Sequence, residues 1–305
     1  MSGPRPIALV GPTASGKSAL AQELAERFDA DIVSIDSMQV YRGMDIGTAK
    51  PTLAERGRVP HHLIDLADPE EDYSVARYRA DAGAVLSELA GRGRRVLMVG
   101  GTGLYLRAVV DDLDLPGQWP EVRARLEAEA DDLGVAALHA RLALLDPLAA
   151  SRAEPANRRR VVRALEVCVG AGRPFSSFGP GLASYPATRF VLLGLNRSRE
   201  ELGERIARRY REQMTAGFLD EVAALARRPA GLSRTARQAL GYRELLAHLE
   251  DGVGLDEALG EAIRRTRSFA RRQQAWFGRD PRVRWLEPGA NLATVAVAAL
   301  GEWWG

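Results

Sequence analysis

The chain has 305 residues, of which 46% are hydrophobic and 27% are charged, and its formal net charge is +2. This composition supplies enough apolar side chains for a large core and excludes a wholly disordered protein. No apolar run approaches the roughly 18 residues that a membrane span requires, so we expect a cytoplasmic protein with no membrane partner. The single cysteine, Cys168, excludes an intramolecular disulfide and a zinc site built from several cysteines.

Short apolar segments alternate with helical patterns along most of the chain. IALV at 7–10 precedes a glycine-rich loop, and Leu20, Leu24 and Phe28 then repeat at the spacing of one helix face. A further helix is predicted at 74–91. The other predicted strands lie at 31–36, 62–66, 95–99, 190–195 and 283–286. Strands that alternate with helices predict an α/β fold with a doubly wound, mostly parallel sheet.

Residues 114–187 interrupt this alternation. Proline and glycine open the segment at 116–120, and helical patterns follow at 121–132, 135–145 and 157–169. In the last of these patterns Cys168 shares a stripe with apolar residues, so we expect it in a core rather than as a reactive thiol. The sequence therefore predicts a helical insertion domain at 114–187 and a catalytic core formed by 1–113 plus 188–305.

The loop after the first predicted strand has the pattern G-x-x-x-x-G-K-S/T. Its residues are Gly11, Pro12, Thr13, Ala14, Ser15, Gly16, Lys17 and Ser18. Glycines allow consecutive backbone amides to point at an anion, and the positive end of the following helix dipole adds to them. Lys17 supplies a full charge, and the hydroxyl of Ser18 is a ligand for Mg²⁺. The motif predicts a diphosphate-binding P-loop within a P-loop NTPase-like core.

The P-loop alone does not identify the phosphorylated ligand. The strand at 95–99 ends without an acidic residue and no N/T-K-x-D motif occurs, which argues against a GTPase. Asp36 ends the second strand and is a candidate base or a water-mediated magnesium ligand; the alternative is an aspartate that caps a turn. Thr102 follows the fourth strand among glycines that let a ligand approach closely, although a simple turn has the same composition.

Two segments are rich in arginine: 157–163 contains four and 263–284 contains eight. Within them the arginines form two stripes at helical spacing, at Arg159 and Arg163 and at Arg264, Arg267 and Arg271. Such runs are either solvated helix faces or contacts for phosphate groups, and both interpretations remain open at this stage. The same alternatives apply to Arg205 and Arg209, which lie one helical turn apart after the fifth strand.

Eight blocks of sequence, in order along the chain, resemble the tRNA dimethylallyltransferases, also called tRNA isopentenyltransferases. The blocks are GPTASGKS at 11–18, DSMQVYRGMDIGTAKP at 36–51, PHHLID at 60–65, VGGTGLYLRAV at 99–109, RRVVRALEV at 159–167, AGFLDEV at 216–222, QALGYRE at 238–244 and RRQQAWF at 271–277. Each block is moderately specific, and the ordered set is highly specific because it spans nearly the whole chain.

The resemblance implies that a dimethylallyl group passes from its diphosphate to the exocyclic amine of the adenosine next to the anticodon of a tRNA, on its 3′ side. It implies dependence on Mg²⁺ and a P-loop that holds dimethylallyl diphosphate. In such a P-loop Lys17 is placed to stabilise the negative charge of the departing diphosphate. The resemblance further implies that Asp36 takes a proton from the amine and that Thr102 hydrogen-bonds the bridging oxygen of the leaving group. With one cysteine, the chain looks like the bacterial form, for which we expect no zinc.

The resemblance also implies where the tRNA anticodon stem-loop binds: along the helical insertion and at several core residues. The implied tRNA contacts are Asp36, Ser37, Met38, Gln39, Thr102, Arg123, Arg159, Arg163, Gln238, Gly241, Tyr242, Arg243, Arg271 and Gln274. A flipped adenine is recognised by hydrogen bonds and stacking, for which Gln39 and Tyr41 are candidates. We expect a monomer.

Two other functions remain as alternatives. A P-loop small-molecule or nucleotide kinase also uses an aspartate at the end of the second strand, but it does not account for 114–187 or for the GGTGLY and RRQQAWF blocks. A non-enzymatic RNA-binding P-loop protein needs no aspartate at that strand end. A requirement for a nucleotide separates the kinase from the transferase, and a silent Asp36→Ala substitution indicates the RNA-binding protein.

Overall fold

The computed structural model describes residues 3–179, 181–182, 184–286, 289 and 292–304. Within them the strands are β1 (Ile7–Val10), β2 (Ala30–Ile35), β3 (His61–His62), β4 (Arg95–Gly100), β5 (Val191–Leu195) and β6 (Val283–Leu286). The first helices are α1 (Lys17–Phe28), α2 (Leu53–Arg58), α3 (Val75–Gly91), α4 (Gly103–Val110), α5 (Pro120–Leu133), α6 (Val135–Leu145), α7 (Pro147–Arg152) and α8 (Arg158–Ala171). A short 3₁₀ turn at Phe175–Ser177 precedes α9 (Arg199–Thr215), α10 (Phe218–Ala226), α11 (Arg234–Arg237), α12 (Tyr242–Asp251), α13 (Leu255–Phe277) and α14 (Leu292–Trp304).

The strands form one sheet in the order β3-β2-β4-β1-β5-β6, and each described pair is parallel. The predicted doubly wound, P-loop NTPase-like α/β fold is thereby confirmed. Because β1 lies in the middle of the sheet, the P-loop leaves it beside the ends of its two neighbours. The loops that follow β1, β2 and β4 share one edge, which is where parallel α/β sheets bind ligands.

Alternate side chains of β1 enter two different cores, as the pleat of a strand requires. Ala8 and Val10 belong to one apolar cluster, which also contains residues of α3, α9, α10, α12 and α13. Ile7 and Leu9 belong to the other, together with residues of α1 and α14. Helices therefore cover both faces of the sheet, which explains why β1 and β2 are buried along their whole length.

The third strand is much shorter than its apolar pattern predicts. The expected strand at 62–66 was wrong, because only His61–His62 pairs with β2. Leu63 and Asp65 have φ values of +62° and +56°, which an extended strand does not accommodate. Leu63 is nevertheless buried, so its hydrophobicity reflects a buried turn rather than a strand. The turn places the Asp65 carboxylate 2.7 Å from Nζ of Lys50.

The chain divides into two compact units, Met1–Val110 with Ala187–Gly305 and Asp111–Pro186. These boundaries lie within a few residues of those expected from the sequence. The smaller unit contains α5 to α8 and has its own apolar cluster, which includes Leu126, Leu142 and Leu165. Cys168 is half-buried against this cluster, and burial raises the pKa of its thiol. In the part of the chain that is described, no helix is long and apolar enough to cross a membrane.

Candidate active site

The P-loop adopts a conformation that only a few residue types tolerate. Gly16 has a φ of +94° and Ala14 a φ of +63°, and α1 begins directly after them at Lys17. A side chain at Gly11 would overlap the carbonyl oxygen of Leu195 on the neighbouring strand. Gly16 is therefore required by its backbone conformation, and Gly11 is required by the close packing of the neighbouring strand. Residues of the loop and of the start of α1 line a cavity of about 310 Å³.

Lys17 lies at the wall of this cavity, and its environment disfavours the charged form. Burial lowers the pKa of Lys17 to about 8; the nearby carboxylate of Asp36 opposes this shift and the guanidinium of Arg209 adds to it. The Nζ atom donates to the carbonyl oxygen of Pro12 over 3.2 Å. An anionic ligand bound in the cavity would favour the charged form of Lys17, as the carboxylate of Asp36 does.

Three arginines of the β5–α9 region donate hydrogen bonds to the P-loop. Nε of Arg197 donates to the carbonyl oxygen of Ser15 over 2.8 Å, and Nε of Arg205 donates to that of Ala14 over 2.7 Å. Nη1 of Arg209 donates to Oγ1 of Thr13 over 3.0 Å. The expected phosphate contacts of Arg205 and Arg209 remain predictions, and no pattern in the sequence distinguishes Arg197 from the other arginines.

Arg205 and Arg209 also line the cavity. Burial lowers the pKa of both guanidinium groups, which remain charged because arginine titrates far above neutral pH. Nε of Arg209 is buried and has no hydrogen-bond partner among the described residues, and the same is true of the hydroxyl of Ser15. Buried donors without partners are uncommon in folded proteins, and here one belongs to the P-loop and the other to an arginine that contacts it.

Asp36 leaves the end of β2 and lines the same cavity as Lys17. Its Oδ1 atom accepts hydrogen bonds from the backbone amides of Met38, over 2.8 Å, and Gln39, over 3.3 Å. The side chain therefore does cap a turn, one of the two roles considered for it. Because one carboxylate oxygen serves this turn, the orientation of the group toward the cavity is fixed.

Thr102 is joined to the turn that contains Asp36. Its Oγ1 atom accepts a hydrogen bond of 3.2 Å from the amide of Ser37, and its own amide donates to the carbonyl oxygen of Ile35 over 3.2 Å. Gly100, at the end of β4, lines the cavity, whereas Thr102 lies beyond its lining residues. The structure thus brings the ends of β2 and β4 together, as their parallel pairing predicts.

The two candidates for recognition of a flipped base occupy different environments. Gln39 lines the cavity; its Oε1 accepts from the hydroxyl of Ser34 over 2.9 Å, and its Nε2 donates to the carbonyl oxygen of Thr48 over 3.3 Å. Tyr41 is fully buried, and its hydroxyl oxygen accepts from the amide of Tyr73. The expectation that Tyr41 stacks on a base is wrong for this conformation, because its ring belongs to the core.

Tyr242 is also fully buried. Its ring packs edge-on against Phe218, and its hydroxyl donates to Glu221 over 2.5 Å. The same carboxylate accepts from the amides of Asp45, Ile46 and Gly47 over 2.8 to 3.2 Å. The expected RNA contact therefore does not extend to the Tyr242 side chain, which instead supports the segment leading to the cavity. The structural role of Glu221 was not predicted from the sequence, although the AGFLDEV block contains this residue.

The remaining expected tRNA contacts of the core unit vary in accessibility. Gln238, Arg243 and Arg271 are exposed, whereas Gly241 is buried, with a φ of +86°. Gln274 is half-buried, and its Nε2 donates to Oδ1 of Asn196 and to the carbonyl oxygen of Arg197. In the arginine stripe of α13, Arg264 pairs with Glu261 and Arg267 donates to the carbonyl oxygen of Gly203. These side chains remain predicted contacts.

The expected RNA-binding arginines of the helical unit differ in their exposure and in their hydrogen-bond partners. Arg159 is exposed on α8. Arg163 lies 2.9 Å from the buried carboxylate of Glu166 and also donates to the carbonyl oxygens of Pro116 and Gly117, each over 2.9 Å. Arg123 lies on the other side of that carboxylate, at 3.4 Å. Arg163 and Arg123 therefore have structural partners, which leaves Arg159 as the most available cation of the three.

Among the described residues, no group of three or more His, Cys, Asp or Glu side chains is placed to hold a metal ion. The hydroxyl-bearing Ser18 is exposed at the cavity, and Asp36 lines it as well. Mg²⁺ characteristically binds through one or two protein oxygens, water and substrate phosphates rather than within a complete protein cage. The residues present fit a magnesium ion that arrives with a diphosphate.

Comparisons with known proteins agree with one another across the chain. Residues 39–280 match the family model described as IPP transferase, and residues 5–63 match that described as isopentenyl transferase. The tRNA dimethylallyltransferase of Streptomyces coelicolor is 52% identical over 94% of this chain and 91% of its own length. That of Acidothermus cellulolyticus is 50% identical over 98% and 94%, respectively.

Solved structures give the same result. The tRNA isopentenylpyrophosphate transferase from Bacillus halodurans is 38% identical, with a TM-score of 0.71 over 98% of this chain and 96% of that chain. A eukaryotic dimethylallyltransferase acting on tRNA is 26% identical, with a TM-score of 0.75 over 90% of this chain and 70% of that chain. These proteins are transferases, and none of them is described as a kinase.

Proposed function

The chain belongs to the tRNA dimethylallyltransferase family of prenyltransferase enzymes, and on this premise we propose the reaction and the residues that perform it. The enzyme transfers a dimethylallyl group from dimethylallyl diphosphate to the exocyclic amine of the adenosine that follows the anticodon of a tRNA. The bond between the prenyl carbon and the bridging oxygen breaks, and a carbon–nitrogen bond forms. Diphosphate leaves with the electron pair of the broken bond, and the amine loses one proton.

On the donor side, the P-loop amides, the start of α1 and Lys17 bind the diphosphate. Negative charge on this group grows as it departs, so cations fixed around it stabilise the transition state more than the bound substrate. The guanidinium groups of Arg205 and Arg209, which line the same cavity, supply further positive charge. Mg²⁺, held by Ser18 and the phosphate oxygens, would neutralise part of the remaining charge.

On the acceptor side, Asp36 receives the proton of the amine. An adenine amine is a poor nucleophile, so a carboxylate that accepts its proton during bond formation lowers the barrier. The turn around Oδ1 holds this carboxylate in place. The hydroxyl of Thr102 accepts from Ser37 and keeps its own hydrogen for the bridging oxygen of the leaving group. Gln39, at the cavity wall, contacts the extruded adenine.

The tRNA binds through exposed arginines and through its loop. We assign phosphate contacts to Arg159 in the helical unit and to Arg271 in α13, which are both exposed. Such contacts supply affinity with little sequence information, whereas the unpaired bases of the anticodon loop supply specificity. The proposal includes an active monomer and, because the substrate is tRNA, a cytoplasmic location.

The observation that carries this proposal is the common cavity of Lys17 and Asp36, a cation at the P-loop and a fixed carboxylate at the end of β2. The test is incubation of the purified protein with unmodified tRNA, dimethylallyl diphosphate and Mg²⁺, followed by mass spectrometry of the tRNA nucleosides. We expect a prenylated adenosine that maps to the position after the anticodon. Modification at another nucleotide, or none, would refute the proposed reaction.

A further inference from the structure

Gln273 of α13 joins the two loops that the proposed mechanism uses on the donor side. Its Oε1 accepts from the amide of Thr13 in the P-loop over 2.8 Å, and its Nε2 donates to the carbonyl oxygen of Gly101 over 2.8 Å. The side chain is only 6% exposed. Thr13 and Gly101 are far from Gln273 in sequence, so this is a tertiary link between α13 and the carboxyl ends of β1 and β4.

The glycines beside Thr102 show how closely α13 approaches this loop. A Cβ atom at Gly101 would overlap the amide of Gln273, and one at Gly103 would overlap the indole of Trp276. Both positions therefore require glycine, because a side chain at either one would occupy the space of a side chain of α13. Thr102 lies between these two contacts, so the position of its backbone depends on the helix that carries Gln273.

Glutamine is the side chain that this place requires. One partner is an N–H group and the other a carbonyl oxygen, so the bridging side chain must accept at one atom and donate at the next. Glutamate keeps the acceptor and lacks the donor; methionine has a similar length and provides no donor and only a weak acceptor. The amide orientation is fixed by the same logic, because the reverse orientation would place donor against donor and acceptor against acceptor.

We infer that Gln273 is a positioning residue for the transfer reaction: it holds the P-loop and the Thr102 loop at the spacing that a diphosphate and its bridging oxygen require. The inference rests on the proposed function, because it assigns those loops to the donor. Gln273 satisfies the Thr13 amide, so that amide is not available to a ligand. Its influence on the substrate is indirect, through the placement of the loops.

The test compares Gln273→Met with wild type and with Ala275→Ser, a change at an exposed residue of the same helix. Calorimetry gives the affinity for inorganic diphosphate with Mg²⁺ in the absence of tRNA, and a second titration gives the affinity for tRNA without donor. For Gln273→Met we expect an approximately tenfold weaker diphosphate affinity, a turnover number lower by about tenfold, and tRNA affinity within about twofold of wild type. The control variant should match wild type in all three.

Gly101→Ala provides a second route to the same state, because its methyl group displaces the Gln273 amide while the glutamine remains present. It should show the same selective loss for diphosphate. The inference is overturned if a folded Gln273→Met or Gly101→Ala protein binds diphosphate like wild type, or if diphosphate and tRNA affinities fall together with the melting temperature. Failure of the wild-type enzyme to prenylate tRNA would instead contradict the proposed function, so the two failures are distinguishable.

Discussion

The amide of Ser37 donates a 3.2 Å hydrogen bond to the hydroxyl oxygen of Thr102. This bond connects the turn after β2 with the loop after β4, and so connects the proposed base with the proposed leaving-group donor. A hydroxyl that accepts from an amide retains its own hydrogen for a second partner. The geometry is therefore compatible with a Thr102 that donates to the bridging oxygen while Asp36, one residue before Ser37, accepts a proton from the amine.

Replacement of Lys17 by methionine should remove the principal positive charge that stabilises the departing diphosphate and leave the fold intact. We expect turnover to fall by about 10²-fold or more, the scale associated with loss of one preorganised electrostatic donor. Steady-state kinetics with saturating tRNA measures this effect, and circular dichroism verifies the fold. A folded variant with nearly wild-type turnover would rule out the role given to Lys17.

Asp36→Asn tests the role of Asp36 as a base independently of its hydrogen bonds within the turn. The amide oxygen of asparagine can still accept from Met38 and Gln39, so the local structure should persist while the proton acceptor is lost. We predict that turnover falls by about 10²- to 10⁴-fold and that tRNA affinity changes little. Single-turnover rates and equilibrium tRNA titrations provide the two numbers. Equal losses in both would identify Asp36 as a binding residue rather than a base.

The helical unit allows an RNA contact to be distinguished from a structural one. Arg159→Ala should change the free energy of unfolding by no more than about 0.5 kcal/mol, because the side chain is exposed. It should flatten the slope of log K for tRNA against log salt by slightly less than one unit. Arg163→Ala should cost about 1–3 kcal/mol of stability, because it removes a partner of the buried Glu166. An unchanged salt slope in Arg159→Ala would place the contact elsewhere.

The lowered pKa of Lys17 predicts how donor affinity depends on pH. In the free protein its pKa is about 8, so the ammonium group loses its proton as the pH rises through that value. A bound diphosphate favours the charged form, so above pH 8 binding must take up a proton. The affinity should then fall by up to about tenfold per pH unit.

Calorimetry at pH 9 in two buffers with different ionisation enthalpies measures this proton uptake directly. Wild type should take up close to one proton for each dimethylallyl diphosphate bound. Lys17→Arg serves as the control, because a guanidinium group stays charged throughout this range and uptake should disappear. Absence of uptake by the wild-type protein would mean that Lys17 is not the cation on the diphosphate.

The P-loop and the strand-end positions of Asp36 and Thr102 could be predicted because each depends on neighbouring residues. Strand, glycines, lysine and helix follow one another within the first thirty residues, and parallel strands bring their ends to one edge. Sequence order alone was sufficient for these residues. It also sufficed for α5, α6 and α8 of the insertion, whose apolar periodicity is clear, but the short helix α7 was not predicted.

The environment of single side chains could not be predicted in the same way. Tyr41 and Tyr242 lie in motifs that resemble those of tRNA-modifying enzymes, yet both are core residues that support the site from behind. The link from Gln273 to Thr13 spans 260 positions in sequence, and Glu221 binds backbone amides of a segment more than 170 positions away. Long-range hydrogen bonds of this kind follow from the packing of α10 and α13, which periodicity does not specify.

The prenyl donor distinguishes tRNA prenylation from the kinase alternative, because a P-loop by itself accepts many diphosphates. The measurement is product formation in nucleotide-free buffer that contains the enzyme, Mg²⁺ and dimethylallyl diphosphate, with tRNA or AMP as the acceptor. We predict prenylated adenosine in the tRNA, very little product on AMP, and at most competitive inhibition when ATP is added. A strict requirement for ATP, or equal use of AMP and tRNA, would contradict the assignment of this site to tRNA prenylation.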